Sequence, residues 1–267
     1  MRDLRILDTQ KLMEELRKLL QNGDSTAIQR TRDFGSAALP TLEAIGKHND
    51  EDVRCLVVEC LAAIGTADAL RRLPAYCEDS SFDVRLEAVN ALLENQPVAG
   101  MGDELLGIFA RQKNGFLRRQ LALVLGRLEA NETKSRLRTH LHAADVVSDG
   151  LVAALARLGD PAARQRLGEL LRTAQGERVV DALQLFRYVA HDDCVPLLLP
   201  LLEREDVVQN LSNDLCKVER RSCDLAVDEL LRLRPDACGV TPHQDLTPYS
   251  ADELAAVRAL LRTELTE

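Results

Sequence analysis

The sequence predicts an all-α fold, a solenoid of about six stacked helix pairs with capping helices at its ends. Three observations carry this. Aromatic residues make up only 3% of the 267 residues and Trp is absent, while Leu, Ala, Arg and Glu dominate. Those are strong helix formers, whereas sheets draw on aromatic and β-branched side chains. The triplet Asp52-Val53-Arg54 returns as Asp83-Val84-Arg85, 31 residues on. Behind each triplet runs the same apolar rhythm. A repeat of 20–50 residues signals an array of supersecondary units.

The elements follow in order. Leu4–Leu20 reads as a charged amphipathic helix that caps the array. From Val53, apolar residues fall at offsets 0, 4, 7, 8 and 11: Val53, Val57, Cys60, Leu61 and Ile64. That is one stripe of a helix, and Gly65 stops it. The offsets return at Val84, Ala88, Ala91 and Leu92, then at Leu117, Leu121, Val124, Leu125 and Leu128. They return again at Val147, Leu151, Ala154, Leu155 and Leu158, ended by Gly159. The fifth copy is Ala182, Leu185, Phe186 and Val189, with Arg178 at the first offset. The anchors 53, 84, 117, 147 and 178 are spaced by 31, 33, 30 and 31 residues. Shorter helices fit between them: Leu39–Lys47, Ala67–Cys77, Asp103–Arg111, Lys134–His142 and Ala162–Thr173. A pair of this size cannot bury its stripe alone, and stacking lets it do so. Ser250-Ala-Asp-Glu253 has the spacing of a capping box. It opens a last helix with Leu254, Val257, Leu260 and Leu261 on one stripe, the C-terminal cap.

The expected organisation is a single array over 1–267. Residues 1–33 hold N-terminal capping helices and 34–190 five regular repeats. Residues 191–234 form a repeat with an insertion at 203–219, and 235–267 an irregular segment with the last helix. No uncharged run approaches the ~18 residues of a membrane span, and Met1–Leu20 is too charged for a signal peptide. Seven cysteines without a CxxC pair fit reduced thiols and a cytoplasmic location. The net charge of −9 argues against general nucleic-acid binding, which needs Lys and Arg for phosphate. It favours solubility, or a basic protein partner.

The stretch Phe34–Gly65, FGSAALPTLEAIGKHNDEDVRCLVVECLAAIG, resembles a unit of the HEAT-repeat family in its short, PBS-lyase-like form. Pro40 holds the proline place of helix A. Arg54, Arg85 and Arg118 hold the family's Arg place, and Asp79 stands six residues before Arg85, where the family puts the Asp of an Asp–Arg ladder. Ser148 replaces the Arg in the fourth unit, which interrupts that ladder. The resemblance covers roughly Phe34–Leu233 and fades after Gly159. It implies a right-handed α-solenoid, with helix B lining the concave face, and structural roles for Arg54, Asp79, Arg85 and Arg118.

Catalytic signatures are absent from the sequence. His191-Asp192-Asp193-Cys194 gathers four possible ligands, but consecutive residues rarely converge on one ion, and Asp193 suits an N-cap for the helix that contains Pro196. His140 and His142 face apart on a helix. There is no His-Glu pair of the kind the related deoxyhypusine hydroxylases use for iron. Cys216 and Cys223 share a helix face without a neighbouring His, and behave as small hydrophobes. A phycobilin-lyase-like cofactor carrier is the alternative reading, and the low aromatic content opposes it. The same composition, with the charge, opposes the DNA glycosylases built on similar repeats. No catalytic residue, cofactor or metal is therefore expected.

Two places are candidates for a partner. Offsets 2, 3, 6 and 10 avoid the core stripe and put Glu59, Glu87, Asn90, Glu94, Arg119, Arg127 and Arg157 on the groove, acidic early and basic later. The second is the break in rhythm at Glu203–Glu219, EREDVVQNLSNDLCKVE, before a helix at Arg220–Leu233. Long insertions in compact arrays are often functional, and Asp206, Asn210 and Asn213 are its candidate contacts. The expected function is a non-catalytic scaffold or adaptor for a protein partner, with no nucleic acid and no membrane.

Overall fold

Several of the long helices begin where the sequence supplies a cap. In the computed structural model, which describes residues 2–128, 131–141, 146–212, 217–235, 239–243 and 246–264, the order starts with α1 (Arg2–Gln21) and α2 (Thr26–Phe34). The pair α3 (Leu39–Ile45) and α4 (Glu51–Ile64) follows. Next come α5 (Ala67–Leu70) and α6 (Leu73–Tyr76), which together stand as one helix A before α7 (Phe82–Glu94). Then come α8 (Gly102–Arg111), α9 (Gly115–Gly126) and α10 (Asn131–Arg138). Asp50 caps α4 by accepting from the Asp52 amide at 3.0 Å. Ser81 caps α7 at 3.2 Å, and Asn114 caps α9 at 3.0 Å. Such caps satisfy amides that have no partner inside the helix.

The described chain divides into two compact units, Met1–Arg136 and Leu137–Glu267. In the first, α2, α4, α7 and α9 pack one on the next as a row of B helices. Their A helices lie alongside, α3 on α4, α6 on α7 and α8 on α9. The segment 1–33 is thus a helix pair, since α1 packs on α2 and α2 on α4. The stripes read from the sequence are buried at Val53, Val57, Cys60 and Leu61, then Val84, Ala88, Ala91 and Leu92, then Leu117, Leu121, Val124 and Leu125, while Ile64 and Leu128 at their ends are half-buried. Burial exceeds the stripe. Leu56, Val58, Val89, Ala122 and Leu123 are also buried, because a B helix has neighbours on more than one side.

The second unit repeats the plan with α11 (Val146–Arg157), α12 (Pro161–Thr173), α13 (Glu177–Val189), α14 (Leu199–Leu202), α15 (Ser222–Leu233) and α16 (Ala251–Glu264). The row is α11 on α13 and α13 on α15, and α14 packs on both α15 and α16. In α13 the exposed Arg178 leaves the stripe, and Val179 takes the buried place. A 3-10 turn at Asp192–Leu198 precedes α14, and its N-cap is His191, which accepts from the Asp193 amide at 3.3 Å. The expectation that Asp193 caps this turn is corrected. Its carboxylate instead accepts from Arg164 at 3.1 Å.

The all-α expectation meets one exception among the described residues. The insertion contains a two-stranded antiparallel hairpin, β1 (Val207–Ser212) and β2 (Lys217–Arg221), with a bulge between Val207 and Gln209. The helix expected from Arg220 starts at Ser222 instead. Arg220 and Arg221 end β2 and clamp the irregular segment that follows α15. Arg220 donates to the Leu246 carbonyl at 3.0 Å and Arg221 to the Tyr249 carbonyl at 2.8 Å. The Tyr249 hydroxyl donates to Asp228 at 2.8 Å. The Ser250–Glu253 capping box closes in both directions, at 2.8 and 3.3 Å.

Candidate interaction face

The Arg places of the repeat set the frame. Arg54 donates from Nε and Nη2 to both oxygens of Asp79, at 2.9 and 2.8 Å. Its Nη1 reaches the His48 and Asn49 carbonyls at 2.8 and 3.0 Å. Burial works against the Asp79 carboxylate, but Arg54 and the Ser81 amide outweigh it and hold it below the usual range. Arg85 repeats only the carbonyl half, to Asp79 and Ser80 at 2.7 and 2.9 Å. Arg118 lies over the Phe109 ring, 4.9 Å from its centre, a cation–π contact. Among the described residues, one carboxylate bridge of the ladder forms, between Arg54 and Asp79.

On α4 and α7 the structure gathers acids. Burial raises the Glu87 carboxyl above its ordinary value, and Glu59 and Glu94 raise it further. Burial likewise pushes the Cys55 thiol up to about 11, helped by Glu87, Asp83, Asp52 and Glu59. Like charges close together disfavour ionisation in this way. Glu59, Glu87 and Asn90 are half-buried and Glu94 is exposed. Asp52 and Asp83 were not singled out from the sequence. The signal was the recurring triplet itself, which puts an Asp one place before each anchor.

Two of the three arginines read from the sequence as a basic stretch, Arg127 and Arg157, are used inside the fold. Arg127 donates to the Leu93 carbonyl near the end of α7. Arg157 donates to the Tyr188 carbonyl near the end of α13 at 2.7 Å. Arg204 does the same for Ala174 after α12 at 2.7 Å, and Arg258 for Leu202 at the end of α14 at 2.8 Å. The last carbonyls of a helix lack internal partners and carry partial negative charge, so a guanidinium suits them. Arg119 is half-buried.

In the insertion, Asp206 accepts from Arg204 at 2.9 and 2.7 Å and from the Ser222 hydroxyl at 3.0 Å. It closes the hairpin stem. Asn210 is exposed on β1 opposite Glu219. Asn213, His142, Cys216 and Cys238 lie outside the described residues. Burial raises the thiols of Cys60, Cys77, Cys194 and Cys223 above their ordinary value, so they are protonated and poorly nucleophilic at neutral pH. The four possible ligands at 191–194 diverge. Cys194 is buried, Asp192 accepts from Arg234 and Asp193 from Arg164. Among the described residues no group of three His, Cys, Asp or Glu is placed to hold a metal ion. No described helix is long and apolar enough to cross a membrane.

Comparison with curated proteins gives no match. Among solved structures, an engineered protein is similar at 17% identity over 94% of this chain and 78% of its own, with a TM-score of 0.42. An archaeal HEAT-like repeats protein from Thermococcus onnurineus NA1 is similar at 15% identity over 94% and 97%, with a TM-score of 0.43. The HEAT repeats family matches residues 9–93. Residues 9–93, which carry Glu59, Glu87 and the Arg54–Asp79 bridge, are HEAT repeats.

Proposed function

We propose that this chain is a non-catalytic scaffold that docks a basic segment of a cytosolic protein on the acidic side of α4 and α7. The observation that carries this reading is the crowding of the half-buried Glu87 by Glu59 and Glu94, with Glu87 and Glu59 also beside Cys55. None of the three glutamates forms an ion pair with a described residue. A fold that holds like charges together without a counter-charge loses stability at neutral pH. A cationic partner recovers it and gains orientation from the match. The raised thiols support the non-catalytic part of the reading. Capture from the native cell extract tests it, with the intact chain beside Glu59→Gln/Glu87→Gln/Glu94→Gln. A lysine- or arginine-rich protein retained by the first and lost by the second is the expected result. The same proteins on both supports overturn the assignment to this face.

A further inference from the structure

Arg85 has the geometry of Arg54 with half of its contacts. In both, Nη1 donates to the two backbone carbonyls six and five residues earlier. In Arg54 the remaining edge, Nε with Nη2, grips Asp79 of the next unit. The place that matches Asp79 one unit on is six residues before Arg118, and it holds Gln112. Gln112 keeps the local part of the role. Its Oε1 accepts from the Asn114 amide at 3.0 Å, as Asp79 accepts from the Ser81 amide at 2.8 Å. It offers no charge to Arg85, and the Nε–Nη2 edge of Arg85 makes no hydrogen bond to a described residue.

Arg85 lines a cleft of about 260 Å³ together with Gln112, Arg111, Lys113, Glu78 and Ile108, among others. The charges in it do not cancel. Glu78 is held by Arg111 at 2.8 Å and Asp79 by Arg54, which leaves Arg85 and Lys113 as cations without an ion-pair partner among the described residues. A planar guanidinium edge matches a carboxylate through two parallel hydrogen bonds. We propose that this cleft is a carboxylate-binding site, in which Arg85 takes from a ligand the bidentate contact that Arg54 takes from Asp79, with Lys113 adding charge. The site is independent of the acidic side of α4 and α7 and uses none of its residues.

The test follows the Nε–Hε resonance of Arg85 by NMR in the full chain, at constant ionic strength held with chloride. Two carboxylate probes are titrated: sodium acetate and an end-blocked tripeptide with a central Asp. The same peptide with Asn is the control. A saturable shift with the Asp peptide, absent with the Asn peptide and chloride, is expected. A shift with acetate as well means that a free carboxylate suffices, and a response to the peptide alone means that the ligand is peptide-borne. Gln112→Asp supplies the carboxylate internally. It is expected to abolish the response and raise Tm by a few degrees, while Gln112→Asn does neither. No saturable shift with either carboxylate, an equal shift with the Asn peptide, or a Gln112→Asp chain that still responds overturns the proposal. None of these results bears on the variants of Glu59, Glu87 and Glu94.

Discussion

Arg54 and Asp79 are 11% and 13% exposed at their side chains and meet through two parallel bonds. Arg54→Ala is expected to cost about 2 kcal/mol, between the small value of an exposed pair and the large one of a fully buried pair. Arg54→Lys recovers little, since an ammonium cannot form the fork. The folded Asp79 carboxyl titrates below its unfolded value near 3.9. Its contribution is therefore complete above that value and is lost as pH falls through the folded one. Urea melts of wild type and Arg54→Ala should differ most at pH 7 and converge toward pH 3. A second residue breaks a rule that its counterparts keep. Twelve residues past the anchor, Gly65 and Gly159 end their helices at positive φ, and at the same offset Ala190 does so at φ 48°. Relief of the left-handed strain exceeds the entropy that glycine adds to the unfolded chain, so Ala190→Gly is expected to stabilise by about 0.5–1 kcal/mol. An unchanged or lower Tm contradicts this. The ladder residues were legible because their spacing is fixed by the repeat. The arginines at 127 and 157 were not, since nothing local separates a guanidinium facing solvent from one donating to a carbonyl about one repeat away.

Among the elements, helix A between Ala67 and Tyr76 is held close to α3 at Gly46. A methyl group there would run into the Tyr76 hydroxyl and stand 3.1 Å from the Leu42 carbonyl. Gly46→Ala is expected to cost about 1–2 kcal/mol through displacement of the ring. Tyr76→Phe in the same chain should restore part of it, which a double-mutant cycle measures. Additive losses would mean that the two residues do not meet. The B helices were legible because five offsets recur along the chain. The pairing of α1 with α2 was less so, because Thr26–Phe34 is short and its apolar positions are sparse. The hairpin escaped because VVQNLS is too brief to display an alternation against the helical period around it. The break in rhythm marked its place, and the stem bonds of Asp206 and Ser222 explain why the next helix starts two residues late.

For the whole chain, the charge of −9 is not evenly used. Carboxylates such as Asp79, Asp206 and Asp224 are matched by arginines, while those on α4 and α7 crowd one another. Glu87 titrates above its ordinary value in the folded chain. Such a group favours folding below its unfolded pKa, near 4.3, and costs stability once pH passes the folded value. Glu87→Gln is therefore expected to raise Tm by roughly 1–3 °C at pH 7 and to change nothing at pH 4. Stability gained by removing a side chain is what a binding face predicts, and a structural role for Glu87 predicts the reverse. The net charge pointed to the basic partner that is proposed for this face. Of the residues read as a groove face, Glu59 and Glu94 lie near Glu87, while Arg127 and Arg157 are taken up by carbonyls near helix ends. The most direct measurement is calorimetric titration of the intact chain with a lysine-rich peptide, at low and at physiological salt, beside the Glu59→Gln/Glu87→Gln/Glu94→Gln chain. Saturable binding that weakens with salt and falls at least tenfold in the triple variant is the predicted result. Equal binding by both chains, or none by the intact one, would contradict it.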